Sequence, residues 1–151
     1  MIEIIPYKDS YKTPLRKLTL EWLEKYVSVE PEDVLFLNDP GQYVSSKDGA
    51  IYLARHDDDI VGTVALYKLY EGNYELAKLA VTESYKGQRI GCALIEHGIE
   101  ICRRWGADII TLYTTKRLEA AYRLYLKYGF REVPDEKQKY IESDTKMVLK
   151  I

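Results

Sequence analysis

A chain of 151 residues with 46% apolar and 30% charged side chains has the length of one domain and can bury a core without metal or disulfide staples. Its formal net charge of −2 provides no basic footprint for nucleic acid, and no basic run with interleaved aromatics stands out. No apolar run approaches the ~18 residues of a membrane span, and MIEIIPYKDS lacks a basic segment followed by an apolar one, so a soluble cytoplasmic chain is expected.

In chain order, Ile2 to Ile5 reads as a strand, and Thr13-Pro14 supplies an N-cap with proline at the first helical position. The helix that follows places Leu15, Leu18, Trp22, Leu23 and Tyr26 on its buried face. Val29 to Asn38 is a second short helix closed by Asp39-Pro40. Ala50 to Arg55, the polar turn His56 to Asp59, and Ile60 to Tyr70 form a hairpin. Glu71-Gly72-Asn73 then turns the chain into the strand Tyr74 to Val81. Helical spacing begins at Ile90 and continues through Leu94, Gly98, Ile101 and Trp105. Ile109 to Thr114 is a β-branched strand. Leu118, Ala121, Leu124, Tyr125 and Tyr128 mark another helix, stopped by Gly129. Phe130 to Val133 and Thr145 to Lys150 are the last strands, with Pro134 to Asp144 as the loop between them. The order is β-α-α-β-β-β-α-β-α-β-β, a mixed α/β sandwich with antiparallel early strands and a parallel central pair, expected as one domain over residues 1–151. Cys92 and Cys102 fall ten residues apart on one predicted helix, hence ~15 Å by helical rise. That is too far for a disulfide and agrees with a reducing compartment.

The stretch VTESYKGQRIGCAL, Val81 to Leu94, combines a strand end, a cationic glycine-containing loop and a helix start. The first N–H groups of a helix have no intrahelical partner and lie at the positive end of its dipole, so a phosphate gains both hydrogen bonds and favourable electrostatics there. Gly87 and Gly91 allow close approach, and Lys86 and Arg89 add positive charge. The G-x-G-x-x-G and G-x-x-x-x-G-K-[ST] spacings are absent. On the loop alone, an ordinary strand-to-helix connection is the preferred reading, because short glycine motifs give many false positives.

Two segments together resemble the GNAT superfamily of acetyl-CoA-dependent N-acetyltransferases, with confidence over residues 50 to 133. The family's pyrophosphate loop, R/Q-x-x-G-x-G/A, is matched by Lys86-Gly87-Gln88-Arg89-Ile90-Gly91, and its helix ending LYxKxGF by Leu124 to Phe130. Lys86 replaces the usual Arg or Gln, and Arg89 takes the middle glycine position, where a negative φ is expected to present only its N–H. The resemblance implies a GNAT-like fold whose central parallel strands splay apart to admit the thioester of acetyl-CoA. It implies cosubstrate contacts from Leu79, Ala80 and Val81 and from Lys86, Gly87, Gln88, Arg89, Ile90, Gly91 and Cys92. Thr114 to Arg117 are further contact candidates, although Thr115 serves equally as a helix N-cap.

Acetyl transfer to an amine needs a free amine, a polarised carbonyl and a proton for the leaving thiolate. The resemblance makes Tyr125 the candidate general acid. A phenol with an ordinary pKa near 10 keeps its proton at neutral pH, and the competing reading is a core aromatic. Glu75 is the candidate base, because a carboxylate among Ala77, Leu79 and Val81 is costly unless hydrogen-bonded; the competing reading is a solvent-facing residue at the strand start. The acceptor, a small-molecule or peptide amine, is expected between the early helices and the Pro134 to Asp144 loop. Glu30, Glu32, Asp33 and Asp39 lean slightly toward a cationic one. No His/Cys/Asp/Glu spacing indicates a metal, and Asp57 to Asp59 read as a solvated turn. A homodimer is compatible with this reading. Its rivals are a non-catalytic acyl-CoA-sensing module and an unrelated nucleotide-phosphate binder.

Overall fold

The computed structural model describes residues 1–135 and 139–151. The elements are β1 (Ile2–Pro6), α1 (Lys12–Tyr26), α2 (Pro31–Asn38), α3 (Pro40–Ser45), β2 (Ala50–His56), β3 (Asp59–Tyr70), β4 (Asn73–Val81), α4 (Ile90–Arg104), β5 (Ile109–Thr114), α5 (Glu119–Lys127), β6 (Arg131–Val133) and β7 (Thr145–Lys150). They build a seven-stranded sheet in the order β1-β2-β3-β4-β5-β7-β6. All of its pairs are antiparallel except β4 with β5.

Period-two alternation on β3 supplies both faces of the sheet. Val64 and Leu66 pack with Leu94, Ile95, Tyr125 and Phe130 beneath α4 and α5. Ala65 and Tyr67 pack with Leu15, Phe36 and Leu37 beneath α1 and α2. Gly98 sets the approach of α4 to the sheet, since a Cβ there would lie 3.2 Å from the Leu76 side chain and 3.4 Å from that of Leu66.

Helix boundaries depart from the sequence expectation in three places. Tyr11, without a side-chain cap bond, precedes α1, so Thr13 and Pro14 lie inside its first turn. There Pro14 still costs nothing, because the N–H it lacks has no helical partner. α2 starts at Pro31 rather than Val29, behind a capping box of Glu30 and Asp33. Asp39-Pro40 closes this helix but also opens α3, an element absent from the expected order: Asp39 accepts a bond from Gln42 N at 3.2 Å and proline sits at the first helical position. Gly129 stops α5 as expected, with φ at 99°.

The parallel pair is short. Asn73, Tyr74 and Glu75 register with Ile109, Ile110 and Thr111, and beyond Glu75 the pairing ceases although both strands continue. A β-bulge contributes to the divergence: Thr63 registers with Ala80 but Ala65 with Ala77, so Lys78 and Leu79 together oppose Val64. Lys78 takes the left-handed conformation, φ 55°, and such bulges bend and twist the strand that carries them.

Candidate active site

A cleft of about 440 Å3 opens where β4 and β5 part. Its walls come from α1 (Trp22, Leu23), from β4 between Glu75 and Val81, from the first turn of α4, and from Ala121, Leu124 and Tyr125 of α5. Glu75, Tyr125, Leu79 to Val81, Lys86, Gly87 and Arg89 to Cys92 all line this cleft, as do Thr114 and Thr115, whereas Gln88, which is exposed, and Lys116, Arg117, Glu32 and Asp39 do not.

The loop into α4 turns through Gly87, φ 83°, and Arg89, φ 62°. The negative φ expected of Arg89 is therefore overturned. The helix is entered from a left-handed cap residue, a conformation that costs a non-glycine side chain roughly 1–2 kcal/mol. The first helical bond runs from Ala93 N to the Arg89 carbonyl at 3.1 Å. Helix geometry then leaves the N–H groups of Ile90, Gly91 and Cys92 without intrahelical acceptors. A Cβ on Gly91 would meet only Leu124, at 4.0 Å, so this end of the cleft has room for a ligand.

Lys86 is held by α1. Its Nζ lies 4.2 Å from the centre of the Tyr26 ring and donates to the Tyr26 hydroxyl at 2.8 Å, with Glu83 at 3.5 Å. The Tyr26 hydroxyl donates to Glu83, and together with a bond from Lys25 this pushes the Glu83 carboxyl down to about 2. Glu21 accepts from the Thr82 hydroxyl at 2.9 Å and completes the link between helix and loop. Lys86 thus acts as a strut as well as a charge. Thr115 does not cap α5, whose cap position is Leu118; its hydroxyl instead accepts from Arg117 N at 3.4 Å.

Glu75 is 1% exposed, which overturns the solvent-facing reading. It accepts from the Tyr140 hydroxyl at 2.7 Å and is paired with the Lys139 ammonium. Burial first, and then the Glu75 carboxylate, hold the Tyr140 phenol well above its ordinary value. A second buried carboxylate, Asp33, is paired with Lys78, whose ammonium lies 5.5 Å from the Phe36 ring centre. Tyr125 is 8% exposed, 6.0 Å from Phe130 between ring centres, and burial raises its phenol above the ordinary value. It is core aromatic and cleft wall at once, protonated at neutral pH.

Lys78, Tyr113, Lys139 and Tyr140 were not singled out from the sequence. Tyr113 shows only as one residue of a β-branched strand, and nothing local marks the other three. The expected acceptor region is present in part: Tyr140, Glu142 and Ser143 line the cleft with Glu30 and Asp33, the Glu30 carboxylate accepting from Ile141 N at 2.9 Å and Glu142 N at 3.2 Å, while residues 136–138 of that loop lie outside the described residues. His97 and His56 stand elsewhere. The former packs edge-on to Tyr52 at 4.4 Å, and the latter bonds Tyr85 OH at 2.7 Å. No group of three or more metal-ligating side chains occurs among the described residues, nor a helix long and apolar enough to cross a membrane.

Residues 13–130 match the model of the acetyltransferase (GNAT) family, and the chain belongs to that family. An uncharacterized N-acetyltransferase of Mycobacterium tuberculosis is 32% identical over 90 residues, which are 60% of this chain and 58% of that protein. This chain therefore spans less than two thirds of that relative's length. Among solved structures, a GNAT-family acetyltransferase from Staphylococcus aureus superposes with a TM-score of 0.89 at 26% identity, covering 99% of both chains. The PaiA N-acetyltransferase of Thermoplasma acidophilum, solved in complex with coenzyme A, shares the fold with a TM-score of 0.79 at 20% identity, covering 100% of this chain and 99% of that one.

Proposed function

We propose that this chain is a single-domain N-acetyltransferase, placed in the cytoplasm, that transfers an acetyl group from acetyl-CoA directly to a primary amine. The observation that carries the reading is the wedge beyond Glu75, which ends at helix-start N–H groups that have no intrahelical acceptor. Ile90, Gly91 and Cys92 would bind the pyrophosphate, and the freed edge of β4 from Leu79 to Val81 would pair with the amides of the pantetheine arm. The cosubstrate supplies an activated acetyl thioester. Backbone N–H groups near Leu79 and Ala80 meet charge developing on the carbonyl oxygen, a preorganised electrostatic contribution. Glu75 takes a proton from the acceptor ammonium, and Tyr125 gives one to the departing sulfur.

The test has two parts. Acetyl-CoA should raise the melting temperature, since a ligand at 100 times its Kd adds about 2.7 kcal/mol. A panel of small amines and peptides should then release free thiol with at least one acceptor. No thermal shift at millimolar acetyl-CoA rejects the cosubstrate. A shift without thiol release across the panel would make the protein an acyl-CoA-sensing module instead.

A further inference from the structure

The cleft holds two buried carboxylates, and each has a lysine of its own. The two pairs differ in how firmly they are held. Lys78 rises from the bulge of β4, with its side chain 12% exposed against 8% for Asp33. Lys139 comes from the segment before β7 and is 33% exposed, against 1% for Glu75. Its ammonium lies 5.5 Å from the Tyr113 ring centre and 5.4 Å from that of Tyr140. These two rings pack edge to face at 5.5 Å. A primary amine of the chain itself is therefore seated on the group that, in the reading above, deprotonates the acceptor, at the point where β4 and β5 begin to part.

We propose that Lys139 is an acceptor for the protein's own acetyl transfer, so that the enzyme acetylates itself at Nζ in cis. The proposal rests on the acetyltransferase reading. The Glu75 carboxylate takes one proton from the Lys139 ammonium. The freed lone pair forms the N–C bond to the thioester carbonyl, and the C–S bond breaks with its electron pair on sulfur. Tyr125 protonates the sulfur, giving free CoA thiol. The second proton lost from nitrogen as the neutral amide forms restores, through solvent, the one Tyr125 gave. A tethered nucleophile needs no encounter step, and well-oriented intramolecular reactions reach effective molarities of about 10⁵–10⁸ M.

The experiment is incubation of the full chain with acetyl-CoA and no added amine, followed by peptide mapping with mass spectrometry over time. One acetyl group should appear on Lys139 before the exposed Lys127 and Lys150 react, at a first-order rate independent of protein concentration. Glu75→Gln should slow Lys139 labelling by about 100-fold or more, the scale of lost acid–base catalysis, with Lys127 and Lys150 unaffected. If Glu75→Gln does not fold, Tyr125→Phe serves in its place with the same expectation. Labelling of Lys139 at the pace of Lys127, or a rate that rises with protein concentration, would overturn the proposal. If acetyl-CoA shifts the melting temperature and a free amine is acetylated while Lys139 stays unlabelled, this inference alone fails. If acetyl-CoA causes no shift, the acetyltransferase reading fails first.

Discussion

Tyr125 packs its ring against Phe130 and carries its hydroxyl on a residue that borders the cleft, so phenylalanine separates its two roles. Tyr125→Phe keeps the ring and should leave the melting temperature and acetyl-CoA affinity close to the parent values. Its kcat should fall by about 100- to 10,000-fold if the phenol supplies the leaving proton. Wild-type turnover, with the chemical step shown to limit the rate, would reduce Tyr125 to a packing residue. Alanine would confuse the comparison, because a buried aromatic cut to alanine costs about 3–5 kcal/mol in stability. Helical phase and the LYxKxGF segment made Tyr125 legible in the sequence, and strand alternation drew attention to Glu75. The partners of Glu75 were not legible, because Lys139 and Tyr140 reach it across more than sixty positions of chain. Arg89 departs from expectation for a different reason: arginine disfavours φ 62°, and the surrounding fold imposes it against that preference.

At the scale of elements, the entry into α4 joins a left-handed cap to three N–H groups with no helical acceptor. Gly91 sits among them with open space before it. Gly91→Asp should therefore fold, yet weaken acetyl-CoA binding by placing a carboxylate where phosphate is bound, measured as a raised Kd by calorimetry. Unchanged affinity in the folded variant would move the pyrophosphate elsewhere. Long periodic elements such as α4 and β3 could be read directly from apolar spacing. α3 could not, because a six-residue helix is too short to show a period and its Asp-Pro start looks identical to a stop. The bulge in β4 was hidden too: LAKLAV reads as a continuous apolar strand, whereas pairing with β3 skips at Lys78 and Leu79.

Across the whole molecule, the sheet consists of two ladders, β1-β2-β3-β4 and β5-β7-β6, joined by three registered residue pairs. A ligand between the ladders should pair with the free edge of β4. Hydrogen exchange at the cleft-facing amides between Leu76 and Val81 should consequently slow when acetyl-CoA binds, while β1 and β2 remain unchanged. Equal protection everywhere would indicate general stabilisation, and no local protection would mean that the ligand does not occupy the wedge. The order of the strands also has a consequence in time. β7 follows β6 in the chain but lies between β5 and β6, so both wait with open edges until it is made. At about 5–20 residues per second, β7 is synthesised roughly 2 to 7 s after β5. During that interval the backbone edge of β5 from Ile109 to Thr114 has no strand partner on its β7 side, an open template for pairing with another chain.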